Sequence, residues 1–181
     1  MIRVDRNRPS RLQLDLFDTP TPCVEEFPAE EPTPRADVVY VVGCGASKLA
    51  QAAPARDLYT GSLFRSTRRY VEATGAPWFV LSARYGVMAP EWKAEPYDYR
   101  LPHNETEQRQ FAQSCASDLF HRSGGAPRVV ILAGRSYAEP LAEVLRSRFG
   151  IAVETPLAGL SMGHRLQWLK RAASEVRGVA A

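Results

Sequence analysis

The sequence predicts an α/β domain: a three-layer sandwich with a four-stranded, mainly parallel sheet and helices on both faces. Short apolar runs rich in β-branched residues indicate buried strands, and stretches of helical character alternate with them. The predicted strands are 38–42, 78–82, 129–133 and 151–155, and the predicted helices are 62–74, 104–122, 136–149 and 160–176. Gly75 and Gly150 follow two of these helices at C-cap positions. Strands that alternate with helices form right-handed βαβ units, which build a parallel sheet.

Length and composition suit one domain of ordinary size with an additional tail. The chain has 181 residues, of which 45% are hydrophobic, and this is enough for a sizeable core. Its formal net charge of +3 does not by itself indicate a nucleic-acid partner. Arg65, Arg68 and Arg69 cluster locally, where they form either a solvated helix face or a track for DNA.

Cysteine usage favours a reducing environment. Cys23, Cys44 and Cys115 lie far apart, no pair has the spacing of metal ligands, and an odd number argues against a disulfide framework. We therefore expect a cytoplasmic protein without a metal or other cofactor. The first residues contain no apolar region of a signal peptide, and no apolar run is long enough to span a membrane, so we expect no membrane partner.

Residues 1–36 differ in composition from the rest of the chain. Prolines recur and acidic residues cluster there, while no helical or strand period persists, which is typical of a disordered or loosely attached tail. A compact apolar group at 12–17 interrupts this tail. Such a group is the usual form of a short docking peptide that becomes ordered when it binds a groove. We assign the remaining residues, 37–181, to a single α/β domain.

The apolar group resembles a known docking peptide. Its residues Gln13-Leu14-Asp15-Leu16-Phe17 are similar to the pentapeptide with which bacterial polymerases and repair proteins bind the DNA sliding clamp. The resemblance implies that Leu16 and Phe17 fill an apolar pocket of the clamp, that Leu14 belongs to the same contact, and that Gln13 fixes the register through hydrogen bonds. The alternative is a segment that packs against its own domain.

The turn after the first predicted strand carries groups suited to a ligand. Gly43 and Gly45 allow the backbone to turn sharply and to approach a ligand closely. Ser47 and Lys48 add a hydroxyl and a cation at the carboxyl end of the strand, where open α/β sheets bind ligands.

Polar and aromatic side chains follow every predicted strand. Because the predicted strands are parallel, we expect these loops to meet at one edge of the sheet. Tyrosines there suit stacking on a planar base or sugar, and glycine N–H groups at helix starts suit a phosphate or another anion. The candidate catalytic residues are Asp57, Asp98 and His164. The candidate substrate-binding residues are Cys44, Ser47, Lys48, Tyr59, Ser82, Tyr85, Tyr97, Gly134, Tyr137, Ser161 and Arg165.

These candidates also have purely structural explanations. Lys48 suits a solvated surface cation, Asp57 the cap of a short helical turn, and Asp98 an Asx turn. For Cys44 a small buried residue is favoured over a nucleophile. The tyrosines suit core aromatics with a hydrated hydroxyl, and the glycine spacing matches neither a dinucleotide fingerprint nor a Walker loop.

Six motifs together resemble a largely uncharacterised bacterial and phage domain family over 38–170. The motifs are GCGASK, ARDLYTGSLF, LSARYGVM, PYDYRL, LAGRSY and PLAGLSMGHRLQWL. The turn after the first strand is also similar to that of the central domain of archaeosine synthase. That domain looks related to the uracil-DNA glycosylase-like superfamily, whose core is a four-stranded parallel α/β sandwich.

The resemblance to uracil-DNA glycosylases implies roles for several residues. In those enzymes an acidic residue after the first strand positions the attacking water beside an aromatic ring, and Asp57 and Tyr59 fill these places. The loop after the last strand contacts base and phosphate, which implies such contacts for Ser161, His164 and Arg165. The chain departs from the family in lacking the Gly-x-Asp-Pro-Tyr or Gly-Glu-x-Pro-Gly turn and a leading histidine in the last loop. It also lacks the cysteine ligands of the iron–sulfur glycosylases.

We therefore predict a DNA-associated N-glycosidase that resembles DNA glycosylases, removes a modified or damaged base, and is tethered to the replication clamp. Asp57 or Asp98 would stabilise positive charge on the sugar and orient water, while His164, Lys48 or backbone N–H groups would stabilise the leaving base. Two other classes remain open: an N-glycosidase acting on free nucleotides or nucleosides, and a non-catalytic module that binds DNA or a nucleotide.

Overall fold

The computed structural model describes residues 36–101 and 103–179, which fold into a mixed sheet flanked by helices. The strands are β1 (Val39–Gly43), β2 (Ala53–Pro54), β3 (Trp78–Ser82), β4 (Gly86–Met88), β5 (Lys93–Ala94), β6 (Arg128–Leu132) and β7 (Ala152–Glu154). The helices are α1 (Ala55–Leu58), α2 (Ser62–Thr74), α3 (Glu105–Arg122), α4 (Arg135–Phe149) and α5 (Met162–Val179). The predicted tail and its docking peptide at 12–17 lie outside the described residues.

The main sheet has five strands rather than the predicted four, in the order β4-β3-β1-β6-β7. The four predicted strands are all parallel neighbours, with β1 between β3 and β6 and with β7 beside β6. The additional strand, β4, pairs antiparallel with β3. It was missed because it is short and begins only a few residues after β3, at Gly86, whose φ of 70° allows the tight reversal. A separate antiparallel pair joins β2 to β5.

Burial of β1 on both faces requires two helical layers. Val39 and Val41 belong to one apolar core, which α3 and α4 cover, and Tyr40 and Val42 belong to another, which α2 and α5 cover. Alternate residues of a strand point to opposite faces, so a strand that is apolar throughout is stable only between two layers. The predicted three-layer α/β arrangement is therefore present in the described residues.

The helix boundaries follow local capping signals. The predicted helix 62–74 is confirmed, and Gly75 and Gly150 follow α2 and α4 in the left-handed conformation with φ of 67° and 65°. Asn104 precedes α3 as its N-cap, and its side-chain oxygen accepts a hydrogen bond from the N–H of Thr106 at 2.8 Å. No helix in the described part of the chain is long and apolar enough to cross a membrane.

A crevice opens between the carboxyl ends of β1 and β6 because the chain leaves them toward opposite faces. After β1 it enters α1 and α2, whose Leu58 and Phe64 pack in the core beneath α5. After β6 it enters α4, whose Leu141 and Leu145 pack in the core beneath α3. Open α/β sheets bind ligands at such a switch point.

The two strands approach each other closely beside this crevice. A Cβ added at Gly43 would lie 2.8 Å from the Cβ of Ala133 and 3.0 Å from its Cα. Only glycine therefore fits at the end of β1 without moving the chain after β6.

We expect Gly43→Ala to lower the free energy of unfolding by about 1–3 kcal/mol, because the new methyl group overpacks the sheet. Urea denaturation of the full chain measures the change. Gly163→Ala in α5 is the control, since a Cβ there would meet no atom within 4 Å, and it should be neutral or slightly stabilising. Equal stabilities of the two variants would contradict the close approach.

Candidate functional site

A cleft of about 320 Å³ occupies the crevice at the switch point. Three segments form its walls: the turn after β1, the segment that precedes α3, and the first turn of α4. The lining residues are Cys44, Gly45, Ala46, Lys48, Tyr97, Asp98, Tyr99, Arg100, Leu101, His103, Ser136 and Tyr137. Several predicted substrate-binding residues thus meet in one place.

A chain of buried hydroxyl groups holds one wall of the cleft. The Tyr97 hydroxyl lies 2.7 Å from the Ser82 Oγ and 3.1 Å from the Tyr59 hydroxyl. Ser82 is fully buried, and its Oγ also accepts hydrogen bonds from the backbone N–H groups of Arg84 and Tyr85, each at 3.2 Å. The end of β3 therefore anchors a residue that lies fifteen positions further along the chain.

Burial keeps the hydroxyls of Tyr59, Tyr97 and Tyr137 protonated. Loss of solvent raises the pKa of Tyr59 to about 12, and it also raises the pKa of Tyr97 above its ordinary value. The pKa of Tyr137 rises to about 12, mainly through burial and further through the neighbouring Cys44 thiol. Neutral phenols donate and accept hydrogen bonds but do not act as bases at neutral pH. The cleft therefore offers hydrogen bonds without phenolate charge.

Lys48 brings a cation to this aromatic wall. Its Nζ lies 4.2 Å from the ring centroid of Tyr97 and 5.8 Å from that of Tyr59, and it donates a hydrogen bond to the Ala46 carbonyl at 3.3 Å. A cation over a ring face is attracted by the quadrupole of the ring. An antiparallel bridge between Lys48 and Tyr59 fixes their relative position. Lys48 is thus half-buried at the cleft rather than fully solvated.

Tyr85 supports the wall from behind. Its ring meets Tyr97 edge-on at a centroid distance of 5.3 Å and Trp92 at 5.0 Å, and its hydroxyl donates to the Glu95 carbonyl at 3.2 Å. Tyr85 is absent from the lining of the cleft. Its position favours packing over direct contact with a ligand.

The first turn of α4 adds hydrogen-bond donors to the opposite wall. Gly134 is the N-cap of this helix, and no side chain caps its backbone N–H groups. Ser136 and Tyr137 line the cleft from the same turn. Uncapped N–H groups at the start of a helix favour an anion.

The two candidate carboxylates lie in different places. Asp98 is exposed and lines the cleft. Asp57 lies in a separate groove, where its Oδ1 accepts a hydrogen bond from Arg68 at 2.5 Å and its Oδ2 is 3.7 Å from the Nε of Arg56. Asp57 is therefore outside the cleft that Asp98 lines. Its side chain is committed to an arginine pair outside the cleft.

The predicted residues of the last loop are also outside the cleft lining. His164 and Ser161 pair with each other at the start of α5, with 2.9 Å between Nδ1 and Oγ, and both are exposed. Arg165 donates through Nε to the Leu160 carbonyl at 2.8 Å. Ser47 is exposed beside the cleft, and its carbonyl accepts a hydrogen bond from the Thr60 N–H at 2.9 Å. The loop after β7 therefore forms no part of the cleft lining.

Sequence reasoning missed four lining residues that carry polar chemistry, one of which, Ser136, lies in the first turn of α4. Tyr99, Arg100 and His103 line the cleft from the segment that precedes α3. Tyr99 and Arg100 stand in the PYDYRL motif, which was a usable signal, whereas nothing near His103 distinguished it from a surface histidine. In the described residues no cluster of His, Cys, Asp and Glu has the arrangement of a metal site.

Fold and cleft together define an α/β domain with a ligand cleft at the switch point of its sheet. The chain belongs to a family of unknown function, DUF6884, which matches residues 39–171. No curated protein and no solved structure matches the chain significantly.

We expect the Ser82 and Tyr97 hydroxyls to stabilise the fold cooperatively. Ser82→Ala should cost about 1–3 kcal/mol because it leaves buried donors unsatisfied, and Tyr97→Phe about 1 kcal/mol. A double-mutant cycle by urea denaturation should give a coupling energy of about 0.5 kcal/mol or more.

The matched control pairs Ser82→Ala with Tyr70→Phe, whose ring packs against Tyr40 and Trp168 instead. These two changes should be additive within about 0.5 kcal/mol. If the effects of Ser82→Ala and Tyr97→Phe on the free energy of unfolding were also additive, the hydroxyl chain would not hold this wall of the cleft.

Proposed function

We propose that the chain is a DNA-associated N-glycosidase, resembling DNA glycosylases, whose cleft receives one nucleoside unit that carries a modified or damaged base. The observation that carries this proposal is the lining of one small cleft by aromatic rings, a cation and a carboxylate, contributed by Tyr97, Tyr137, Lys48 and Asp98. Its volume of about 320 Å³ is at the lower end of the range for ligand pockets, roughly 300–1,000 Å³. That size suits a single nucleoside better than a longer segment.

The aromatic wall supports recognition of a planar base. Tyr97 and Tyr137 line the cleft from different segments, and their neutral hydroxyls can pair with the edge of a base. Enzymes that act on a base of DNA take it out of the stack and hold it against aromatic and polar groups. A flipped nucleotide therefore matches the chemistry of this cleft.

Two features support binding of the phosphate that accompanies the nucleoside. Lys48 supplies a positive charge at one side of the cleft, and Ser136 lines it from the first turn of α4, whose N–H groups no side chain caps. A single phosphate between them would fix the sugar relative to Asp98.

The proposed reaction breaks the bond between C1′ of the sugar and a ring nitrogen of the base. The bonding electrons leave with the base, and a water oxygen forms the new bond to C1′ while its proton passes to solvent or to the base. Asp98 would stabilise the positive charge that develops on the sugar and orient the water. Asp57 is a weaker candidate, since Arg68 and Arg56 already occupy its oxygens.

The sheet adds support at the level of the fold. Four parallel strands, β3, β1, β6 and β7, lie between two helical layers. This arrangement supports the proposed relationship to the uracil-DNA glycosylase-like superfamily. The antiparallel strand β4 at the edge of the sheet would be an addition to the four-stranded core.

The exposure of Asp98 favours a second candidate function, a non-catalytic module that binds DNA or a nucleotide. Electrostatic stabilisation by a carboxylate is weaker in water than in a site that excludes it. This candidate predicts binding in the same cleft without turnover.

We further propose that Gln13-Leu14-Asp15-Leu16-Phe17 tethers the domain to the bacterial DNA sliding clamp. Delivery to replicating DNA would suit an enzyme that acts on a base, whereas an enzyme on free nucleotides has no use for it. Replacement of Leu16 and Phe17 by alanine should abolish co-purification with the clamp, and unchanged co-purification would remove this part of the proposal.

The test of the activity is abasic-site formation on duplex and single-stranded DNA that carries uracil or oxidised, alkylated, hydroxymethylated or deazapurine bases. We expect one base to be released, and we expect Asp98→Asn to slow its release about 10²–10⁴-fold. Asp57→Asn is the matched control and should retain most of the rate. An Asp98→Asn variant as active as wild type would refute the mechanism, and silence across the panel would favour the binding module.

A further inference from the structure

Two basic grooves flank the N-terminal half of α2, close to the cleft. The first, of about 420 Å³, is lined by four arginines, Arg56, Arg65, Arg68 and Arg69. The second, of about 520 Å³, lies between α2 and α5 and is lined by Arg69 and Lys170. Arg69 lines both, so the two grooves share this residue on α2. We call this surface the α2 track.

We propose that the α2 track binds the phosphodiester backbone of the DNA strand that flanks the nucleotide in the cleft. The inference rests on the proposed function of the cleft as a nucleotide site.

The charge along the α2 track is positive after its internal ion pairs are taken into account. Its two carboxylates, Asp57 and Glu72, both accept hydrogen bonds from Arg68, at 2.5 Å and 2.7 Å. Arg65 and Arg69 are exposed, and none of the ion pairs among the described residues involves them. No carboxylate lines the second groove. Both carboxylates therefore pair with Arg68, and the positive charges of Arg65 and Arg69 remain uncompensated.

The groups along the α2 track suit a chain of phosphates. Arginine guanidinium groups match phosphate oxygens with paired N–H donors. Ser62, Ser66 and Ser174 add hydroxyl groups along the second groove, and the first turn of α2 contains no acidic residue that would repel an anion. Two consecutive grooves accommodate an extended polyanion better than a single small anion.

The α2 track adjoins the cleft through one short connection. Tyr59 lines the first groove, and its hydroxyl bonds to Tyr97, which lines the cleft. Lys48, which lines the cleft, also pairs through an antiparallel bridge with Tyr59. A strand whose nucleotide enters the cleft would thus meet arginines immediately beyond Lys48. These contacts would be independent of sequence, because phosphates carry no base information.

The test is the salt dependence with which the full chain binds a labelled single-stranded oligonucleotide of mixed sequence. The variant Arg65→Gln/Arg69→Gln should reduce the slope of log K against log salt by roughly 0.7 for each phosphate contact that is lost, the value for single strands. The control Arg109→Gln/Arg148→Gln makes the same charge change at exposed residues between α3 and α4 and should leave the slope unchanged. The variant Arg65→Lys/Arg69→Lys keeps the charge and should retain most of the slope.

The outcomes separate this inference from the proposed function. Equal slopes for the two glutamine variants, or no DNA binding by wild type, would overturn the α2 track. Competition by polyglutamate as effective as that by DNA would assign the surface to acidic proteins instead and would also overturn the inference. If the Arg65→Gln/Arg69→Gln variant loses slope and the chain releases no base, the α2 track is supported and the glycosidase is refuted. If the chain releases a base and the two glutamine variants have equal slopes, the glycosidase is supported and the α2 track is refuted.

Discussion

The burial of β1 on both faces is the constraint on which the rest of the structure depends. Its valines and tyrosine contribute to two separate cores, so helices must cover both sides of the sheet. The chain meets this requirement by turning toward one layer after β1 and toward the other after β6. The same requirement that stabilises the sheet therefore opens the cleft. Gly43 allows the two strand ends to approach closely at this point.

The hydroxyl chain of Ser82, Tyr97 and Tyr59 connects the core to the chemistry of the cleft. It fixes the loop residue Tyr97 to the buried end of β3, and burial also keeps the phenols of Tyr97 and Tyr59 neutral. The cleft is then lined by few charged side chains: Lys48 beside the rings, Asp98 and Arg100. A site of neutral aromatic donors with few charges recognises a polar, planar ligand better than a densely charged one.

Local patterns in the sequence predicted the strands and helices well. The positions that the sequence did not predict depend on contacts between residues that lie far apart in the chain. The apolar runs and the glycines at 75 and 150 indicated the parallel strands and helix ends, because burial and capping leave local traces. The position of Asp57 outside the cleft was not predictable locally, because its partner Arg68 lies eleven residues further on. His164 follows the last strand as predicted, yet its loop does not contribute to the lining. The sequence predicted which loops follow the strands at this edge of the sheet. It did not predict which of their residues line the cleft and which line the groove that contains Asp57.

We propose that the cleft at the switch point binds a single nucleoside unit. A crystal structure of the full chain with a short single-stranded oligonucleotide tests it most directly. We expect one nucleoside in the cleft between Tyr97 and Tyr137, with a phosphate near Lys48 and the sugar facing Asp98. An oligonucleotide bound elsewhere, with no nucleoside in the cleft, would contradict it.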